Sequence, residues 1–439
     1  MSVTRVFENS VPCCKGHSLV WRVGMILLGL VGALHGTGEM AFPTRNEAGR
    51  LRIVGGREVS RGEFPWMVAI VRSDDPVAYR GYMGGGTLIH PRWVITAAHV
   101  VGDARADGLE VLLDAHDLLM DSSSRRVRVA EVVRHPGFET RKGLLGSDLA
   151  LLRLETVQEK RETPILFPPV SAWASGRSVR ALGWGRTAPR GFRASALQWV
   201  DLSLVDREAV DAAAVYGQLL PDDVILAGGQ SDGRDTCEGD SGGPLLAETR
   251  TDGAWAMIGV VAGGSDQGCA VAGVPGLYTS VLENRVWLES VVVGGFPDWV
   301  VLHGARGEEE DLDQDGITNW EEYARGTHPR DPRSRPRLAI RLIRNEGKVY
   351  PELAGVIRRG VDDLVFHLES SLDLVDWERI ESVRPVTLPG RGLVPFQWRG
   401  AARQEGAGMA FFRLRATPRN SGKALGLNGM TVIGETLER

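Results

Sequence analysis

The sequence predicts an all-β fold for the central part of the chain, and two observations lead to that prediction. Residues 53 to 290 contain many short runs of β-branched and aromatic residues, and these runs are broken by Gly, Pro, Asp and Asn. The clearest runs are Trp66 to Val71, Gly86 to Ile89, Val127 to Val133, Leu149 to Leu154, Val179 to Leu182 and Trp255 to Val261. Runs of this length and spacing are typical of an all-β barrel or sandwich.

Length and composition limit the classes of protein that the chain can represent. At 439 residues and 43% hydrophobic content, the chain is long enough for two or three domains with cores of their own. The formal net charge of -5 is small for this length, so no basic surface predicts nucleic acid as a partner. Partners are therefore expected from the chemistry of a cleft.

The N-terminal part of the sequence has the features of an export segment. Residues 1 to 22 carry three basic side chains, and the apolar run from Val23 to Leu34 follows. This run is too short to span a bilayer comfortably but fits the core of a signal peptide. Residues 1 to 36 are therefore predicted to be a signal peptide of a secreted protein. A start codon placed too early and a retained membrane anchor are the alternatives, and only the anchor makes the membrane a partner.

A glycine-rich turn carries the strongest chemical pattern in the chain. The stretch from Asp235 to Pro244 holds Ser241 among glycines, which let the backbone bend sharply and approach a substrate closely. A serine hydroxyl is a poor nucleophile at neutral pH and needs a base, and the oxyanion that it creates needs hydrogen-bond donors. The N–H groups of Gly239 and Ser241 are candidates for those donors. A simple surface turn is the alternative, because Gly, Ser, Asp and Pro are common in loops.

Two residues earlier in the chain are candidates to activate this serine. His99 follows the apolar stretch Trp93-Val94-Ile95, which is typical of a strand, and is the candidate general base. Asp148 begins another apolar run and is the candidate carboxylate that fixes the tautomer of the imidazole and stabilises the imidazolium. The order His, Asp, Ser along the chain is the order found in chymotrypsin.

With these residues, positions 53 to about 290 resemble a trypsin-like serine protease of the chymotrypsin family. The matching stretches, in the order of the family, are Ile53 to Gly56, Thr96 to Val100, Ser147 to Leu152, Gly183 to Gly185, Gly239 to Pro244 and Pro275 to Tyr278. The resemblance implies a protease domain over residues 53 to 292, built from two packed six-stranded antiparallel barrels and closed by a helix at Arg285 to Leu288. It also implies that the active site lies at the barrel junction.

The function that this resemblance implies is that of a serine endopeptidase, which forms an acyl-enzyme on Ser241 and needs no cofactor for catalysis. Proteins or peptides are the expected substrates, and the enzyme is expected to be a monomer. A protease-like binding module without activity is the alternative, but such modules usually lose one of the three catalytic residues. A chaperone-protease is disfavoured, because no Gly-Leu-Gly-Phe-type peptide-binding module follows residue 290.

The resemblance also assigns roles around the substrate pocket. Asp235 is implied as the floor of the primary pocket and Gly264 and Gly276 as the glycines that keep it open, which predicts cleavage after Arg or Lys. Cys237 and Cys269 correspond to a disulfide of the family. A second family disulfide, beside the histidine, is absent, because Gly84 and Val100 occupy its positions.

Activation by proteolysis is a further implication of the resemblance. Cleavage between Arg52 and Ile53 frees an α-amino group, which pairs with the aspartate before the nucleophile, here Asp240. Residues 37 to 52 are therefore predicted to be an activation peptide of a zymogen, and an ordinary disordered N-terminus is the alternative. The sequence departs from the family at Ala262 and Gly263, where a Ser and a Trp are usual, so Asp148 is expected to lose one hydrogen bond.

An acidic stretch after the protease region predicts a structural calcium site. Residues 311 to 322 match the pattern D-x-D-x-D-G-x5-E without a gap, and calcium prefers six to eight oxygen ligands of this kind. A helix from Asn319 to Arg325, ended by Gly326, is expected next. The alternative is an acidic, solvated linker. The predicted ligands are Asp311, Asp313, Asp315, the carbonyl of Ile317, Asn319 and Glu322.

The remaining sequence divides into three parts. Residues 296 to 334 are predicted to form an EF-hand-like calcium segment with a linker, and the arginine-rich stretch from 330 to 344 is expected to be solvated. Residues 335 to 417 are predicted to be a small β-rich module, with strands at Leu364 to Ser370, Trp377 to Ile380 and Phe411 to Ala416. Residues 418 to 439 are polar and glycine-rich and are expected to be a flexible tail.

Overall fold

Strands are the main elements of the structure, which is a computed structural model of the chain. Its described residues are 54–120, 124–138, 146–158, 162–168, 173–249, 254–335, 339–346, 348–359, 363–371, 375–380, 386–387, 392–399, 403–404 and 411–418. The predicted signal peptide, the predicted activation peptide, Ile53 and all but the first residue of the predicted tail lie outside these residues. None of the helices within the described residues has the length and apolar character needed to cross a membrane.

The first half of the protease region forms a closed barrel of six antiparallel strands in the order β2-β3-β4-β7-β6-β5. Helix α2 directly follows β4 and carries His99. The elements are β1 Arg57–Glu58, β2 Met67–Arg72, α1 Ala78–Gly81, β3 Tyr82–His90, β4 Trp93–Thr96, α2 Ala98–Val101, β5 Leu109–Leu113, β6 Arg125–Arg134 and β7 Ala150–Leu154.

The second half forms another six-stranded antiparallel barrel. Its order is β10-β11-β14-β13-β12-β9, and pairing of β9 with β10 closes it, while β1 pairs with β10 and β8 with β13. The elements are β8 Ile165–Leu166, β9 Ser178–Gly183, β10 Gln198–Val205, α3 Ala212–Tyr216, β11 Val224–Ala227, β12 Pro244–Glu248, β13 Trp255–Gly263 and β14 Gly276–Ser280.

Three helices and two small sheets follow the barrels. Strands β15, β16, β20 and β19 form one sheet, with β21 on β16, and β18, β17 and β22 form the other. The elements are α4 Arg285–Val292, α5 Phe296–His303, α6 Asn319–Arg325, β15 Ala339–Asn345, β16 Lys348–Arg359, β17 Leu364–Ser371, β18 Glu378–Ile380, β19 Val386–Thr387, β20 Gly392–Arg399, β21 Arg403–Gln404 and β22 Phe411–Pro418.

The predicted all-β class with two six-stranded barrels is confirmed, as are the closing helix and the helix after the acidic stretch. Helix α6 begins after Thr318, whose side chain accepts a hydrogen bond from Glu321 N, and such a cap satisfies one of the free N–H groups of the first turn. It ends at Gly326, which has the left-handed φ of 73° that glycine adopts without strain.

The expectation of a solvated linker up to residue 344 is wrong from Ala339 onward. Residues Ala339 to Asn345 form β15, which pairs along its whole length with β16. This strand lies at the edge of a sheet, and Arg341 and Arg344 on it are exposed to solvent. Their charge makes the sequence resemble a solvated linker. Charged side chains on an edge strand are common, because they prevent pairing with other chains.

The apolar core continues from the protease into the C-terminal segment. One cluster of buried side chains joins the first barrel and α4 to Trp299 of α5, Tyr323 of α6 and Leu364 of β17. Separate clusters fill the second barrel and the space between the two C-terminal sheets. Helices α5 and α6 and strand β17 therefore share an apolar core with the protease barrels and are not joined to them only by a linker.

A buried ion pair crosses the same boundary. Arg358 of β16 donates from Nη2 to Glu289 Oε2 of α4 at 2.5 Å, and both side chains are at least 98% buried. Arg285 Nη1 and His303 Nε2 lie 2.8 and 3.1 Å from the other oxygen, Glu289 Oε1. Although burial opposes ionisation, Arg358 and Arg285 hold the pKa of Glu289 well below its usual range.

Candidate active site

The structure brings His99 and Asp148 into direct contact. His99 Nδ1 lies 2.6 Å from Asp148 Oδ2, and the backbone N–H of His99 donates to Asp148 Oδ1 at 2.9 Å. An ionised carboxylate only accepts hydrogen bonds, so the imidazole proton sits on Nδ1 and the lone pair of Nε2 is available as a base. Asp148 is buried, whereas the His99 side chain is 37% exposed.

Close backbone contacts hold Ser241 against the segment that carries His99. Ser241 O accepts a hydrogen bond from Gly85 N of β3 at 2.8 Å. A Cβ at Gly242 would collide with Thr96 Oγ1 and Gly85 O. Gly242 also has a φ of 80°, a conformation that strains other residues. Only glycine fits here, and it allows the nucleophile turn of the second barrel to reach the first.

The N–H groups of Gly239 and Ser241 point away from peptide carbonyls that are held by hydrogen bonds. Glu238 O accepts from Arg186 N at 2.8 Å, and Asp240 O accepts from Gly243 N at 3.0 Å. These carbonyls share their peptide units with the N–H groups of Gly239 and Ser241, and in a trans peptide the two groups point in opposite directions. Within the described residues neither N–H donates a backbone hydrogen bond, so both are available to a ligand.

Asp240 is fully buried behind this turn. Its Oδ1 accepts from Gly185 N at 2.8 Å and its Oδ2 from Cys237 N at 2.9 Å. Burial raises the pKa of Asp240 to about 7, so these two hydrogen bonds compensate its charge only in part. Its predicted partner, the α-amino group of Ile53, lies outside the described residues.

A cavity of about 370 Å³ opens beside Ser241, and Asp235 lies in its wall. Asp235 is 4% exposed, and its Oδ2 accepts from Ala270 N at 2.8 Å. Its Oδ1 has no hydrogen-bond partner among the described residues. Burial raises the pKa of Asp235 to about 6. The pocket therefore presents one buried carboxylate, only one oxygen of which accepts a hydrogen bond from a described residue, to any substrate side chain that enters it.

The two glycines predicted for this pocket differ in their surroundings. A Cβ at Gly276 would lie 3.2 Å from Asp235 Oδ1 and 3.1 Å from Tyr278 Oη, whereas no atom lies within 4 Å of the corresponding point at Gly264. Gly276 thus gives access to the carboxylate, and Gly264 leaves open space in the wall. Asp266 also lines the cavity and is exposed, so it adds a second carboxylate near the pocket.

The predicted disulfide between Cys237 and Cys269 is present and ties two walls of the cavity together. Where the second disulfide of the family is missing, Val100 fills the space, since a Cβ at Gly84 would lie 2.8 Å from its methyl groups. Ala262 offers no side-chain donor, and both oxygens of Asp148 receive their hydrogen bonds from His99.

The acidic loop brings its three aspartates together. Carboxylate oxygens of Asp311, Asp313 and Asp315 lie within 4.8 Å of one another. Gly316 has the positive φ, 89°, of a sharp turn, and Ile317 N donates to Asp315 Oδ1 at 2.9 Å.

Four buried side-chain oxygens at the predicted ligand positions lack hydrogen-bond partners among the described residues, namely Asp313 Oδ2, Asp315 Oδ2, Asn319 Oδ1 and Glu322 Oε2. Burial and the nearby Asp313 raise the pKa of Glu322 to about 9. Such uncompensated oxygens at the predicted ligand positions fit the binding of a hard divalent cation.

Several residues that shape the site carry no motif in the sequence. Tyr82 is buried and donates from its hydroxyl to Gly239 O at 2.9 Å. The Arg193 guanidinium lies 5.3 Å from the centre of the Tyr82 ring and donates to Tyr82 O at 3.2 Å. These contacts join residues more than 100 positions apart, and only the glycine-rich stretch after Tyr82 indicates that another backbone approaches there.

Two closed barrels with His99, Asp148 and Ser241 near their junction are the architecture of double-barrel serine endopeptidases. The model of the family described as Trypsin matches residues 53–288, which is more than half of the chain. The chain therefore belongs to the trypsin family, and it is a serine-type endopeptidase that acts on proteins.

Individual relatives match over the same region. Tryptase of Mus musculus is 32% identical over 259 residues, which cover 56% of this chain and 90% of tryptase. Ovochymase-2 of Mus musculus is 30% identical over 254 residues, covering 54% of this chain and 40% of that protein. The serine proteinase stubble of Drosophila melanogaster is 31% identical over 245 residues, covering 54% of this chain and 30% of its own length.

Proposed function

We propose that Ser241 is the nucleophile of this endopeptidase, His99 its general base and Asp148 the residue that orients and stabilises His99. The 2.6 Å contact between His99 Nδ1 and Asp148 Oδ2 is the observation that carries this proposal. It keeps the imidazole proton on Nδ1 and leaves the lone pair of Nε2 to accept the proton of a serine hydroxyl.

The reaction follows from these roles. His99 Nε2 takes the proton of Ser241 Oγ as Oγ attacks the carbonyl carbon of the peptide bond. The oxygen of that carbonyl becomes negative and accepts hydrogen bonds from the N–H groups of Gly239 and Ser241. The imidazolium, stabilised by Asp148, then gives its proton to the leaving amine. Water, activated by the same imidazole, hydrolyses the ester on Ser241 and restores the enzyme.

Substitution of the triad tests this assignment. Ser241→Ala and His99→Ala are each expected to lower kcat by about 10⁶-fold, as in other triad knockouts, without unfolding the protein. The matched control is Ser231→Ala, at an exposed serine of the same region. A fluorophosphonate probe is expected to label wild type but not Ser241→Ala. Peptidase activity near wild type in Ser241→Ala would falsify the assignment.

We propose that the enzyme cleaves after arginine and, less efficiently, after lysine. The support is Asp235, a buried carboxylate in the wall of the cavity beside Ser241, one oxygen of which has no hydrogen-bond partner among the described residues. A long cationic side chain compensates such a charge, whereas an apolar one leaves it desolvated and unpaired. The planar fork of arginine binds a carboxylate through two hydrogen bonds, while lysine presents a point charge.

We also propose that the protein is secreted as a zymogen and activated by cleavage before Ile53. The support is the burial of Asp240, whose raised pKa marks a charge that two backbone N–H groups compensate only in part. A new α-amino group beside it would complete that compensation and stabilise the oxyanion turn. N-terminal sequencing of active enzyme is expected to begin at Ile53. An upstream residue at the terminus of fully active enzyme would exclude this activation.

A structural calcium ion is the third part of the proposal. Asp311, Asp313, Asp315, Asn319 and Glu322 would supply side-chain oxygens, and Ile317 its carbonyl. The ion would neutralise these carboxylates and so brace the segment between the protease and the C-terminal sheets. The support is the set of four buried oxygens at these positions that lack hydrogen-bond partners among the described residues.

A further inference from the structure

We infer that Asp223 is a positioning residue for catalysis: from the second barrel, it holds the turn of the first barrel that carries Asp148. Asp223 Oδ2 accepts a hydrogen bond from Ser147 N, the residue directly before Asp148, at 2.7 Å. The two residues lie 76 positions apart in the chain. The inference rests on the proposed role of Asp148.

The turn around Asp148 needs such support. Both carboxylate oxygens of Asp148 are bound to His99, so its side chain is fixed to the residue that it is meant to orient. Its position relative to the rest of the enzyme therefore depends on its backbone. Ser147 has a φ of 54°, and Leu149 N donates to Ser147 O at 2.8 Å. A non-glycine residue keeps this sparsely populated conformation only where its surroundings enforce it.

Asp223 is itself held firmly on the side of the second barrel. Asn284 Nδ2, at the start of α4, donates to the same oxygen, Asp223 Oδ2, at 3.1 Å. Ser280 N, at the end of β14, donates to Asp223 O at 2.7 Å. Arg207 Nη2 donates to Leu220 O at 2.8 Å and braces the loop that leads to Asp223. The Asp223 carboxylate, held in place by the second barrel, thus fixes the position of the Ser147 backbone.

The fit between the two turns is tight. A Cβ at Gly146 would lie 2.7 Å from Pro221 Cβ and 3.0 Å from Asp223 Oδ1. A side chain at position 146 would therefore push the turn away from Asp223. Because displacement of a catalytic group by about 1 Å can cost about 10²-fold in rate, a small movement of Asp148 is enough to affect turnover.

Substitution of Asp223 tests this role. Asp223→Ala is expected to lower kcat by about 10- to 100-fold on an arginine ester with KM nearly unchanged, because the defect lies in the geometry of the base and not in substrate binding. Asp223→Asn keeps a carbonyl oxygen that can accept from both Ser147 N and Asn284 Nδ2, so it is expected to restore kcat to within about threefold of wild type.

The matched control is Asp222→Ala. Asp222 is the neighbouring acid, its side chain is fully exposed, and it lies 4.0 Å from Arg207 Nη2. This variant is expected to keep the kcat of wild type. A second readout is the proton NMR resonance of the His99 Nδ1–H, which a short hydrogen bond to Asp148 shifts far downfield. That resonance is expected to move upfield or broaden in Asp223→Ala and to stay in place in Asp223→Asn and Asp222→Ala.

A variant on the opposite side of the contact covers the case in which Asp223→Ala fails to fold. Gly146→Ala leaves Asp223 unchanged, inserts a methyl group into the contact, and is expected to lower kcat in the same range. A folded Asp223→Ala or Gly146→Ala enzyme with wild-type kcat overturns the inference, as does an Asp223→Asn enzyme that is as slow as Asp223→Ala. Failure of the proposed triad is recognised separately, by activity in Ser241→Ala.

Discussion

Replacement of Asp235 by asparagine is expected to stabilise the protein and, at the same time, to remove its preference for arginine. Asp235 is 4% exposed, one of its oxygens accepts a hydrogen bond from Ala270 N, and the other has no hydrogen-bond partner among the described residues. A buried carboxylate in this state is unfavourable until a cation enters the pocket. Function and stability therefore make opposite demands on this residue.

The size of the effect on stability follows from the pKa. Burial raises the pKa of Asp235 from 3.8 to about 6, and each pH unit of difference corresponds to about 1.4 kcal/mol, so the ionised form costs about 3 kcal/mol in the folded state. The folded state binds this proton more tightly than the unfolded state. The free energy of unfolding therefore falls as the pH rises from about 4 to about 6, and it stays lower above that range.

Chemical denaturation of wild type and Asp235→Asn at several pH values measures this difference. The variant is expected to be more stable than wild type by up to about 3 kcal/mol at pH 8, and the difference is expected to vanish near pH 4, where Asp235 is protonated in both states. Asp232→Asn is the matched control. Asp232 is a more exposed acid of the same loop, paired with Arg234, and its replacement is expected to leave specificity unchanged.

The effect on specificity is measured with arginine and alanine esters and with benzamidine as a cationic competitive inhibitor. Removal of one partner of a buried charge pair costs about 2 to 5 kcal/mol, so kcat/KM for the arginine ester is expected to fall by at least about 30-fold in Asp235→Asn. In wild type, the inhibition constant of benzamidine is expected to rise as the pH falls through about 6. An inhibition constant independent of pH between 5 and 8, or arginine preference retained in Asp235→Asn, would refute the reasoning.

Three further predictions test other parts of the structure. Tyr82→Phe removes the hydroxyl that donates to Gly239 O, so kcat on an ester substrate is expected to fall about 10-fold with KM unchanged. A chelator is expected to lower the melting temperature of wild type but not of Asp313→Asn in calorimetry, because an ion present at 100 times its Kd adds about 2.7 kcal/mol. Arg358→Met leaves Glu289 buried without its main partner and is expected to cost about 3 to 5 kcal/mol in chemical denaturation.

Each of these predictions has an outcome that contradicts it. Wild-type kcat in Tyr82→Phe would show that its hydroxyl does not support the oxyanion turn. An equal response of wild type and Asp313→Asn to the chelator would exclude the calcium site. For Arg358→Met the control is Arg399→Met, which removes a half-exposed ion pair with Glu352 and is expected to cost less than about 1 kcal/mol. An equal loss in the free energy of unfolding for Arg358→Met and Arg399→Met would contradict the claim that burial makes the ion pair with Glu289 more costly to break.

Local chemistry explains what the sequence could predict. Helix α6 lies where its Thr cap and the following Gly326 indicate, because the capping residues are neighbours of the helix in the chain. His99, Asp148 and Ser241 each follow or begin an apolar strand and stand in short motifs. Strand β10 is not among the apolar runs that predict strands, and its residues alternate between buried and half-buried. Its alternation has the correct period for a strand, but its polar residues dilute the apolar signal.

Contacts between distant residues explain what the sequence could not predict. Asp223 and Ser147 are separated by 76 positions, and Arg358 and Glu289 by 69. No residue pattern in either segment specifies its partner, since the pairing depends on how the barrels and sheets pack. The prediction of a solvated linker over Ala339–Asn345 fails for a related reason. The arginines of this strand are exposed, and pairing with β16 decides its conformation.

The packing of the C-terminal segment argues that it belongs to the folding unit of the protease. Helix α5 packs on the first barrel, where His90 Nε2 lies 3.1 Å from Asp298 Oδ1, and α6 packs between α5 and β16. Removal of the segment would take Trp299 out of the apolar core that it shares with the first barrel and α4, and would leave Glu289 without Arg358. Each change is unfavourable, since one uncovers apolar area and the other leaves a buried charge less well paired. Because the apolar core and the ion pair both cross the boundary, the barrels and the C-terminal sheets are expected to unfold in a single transition.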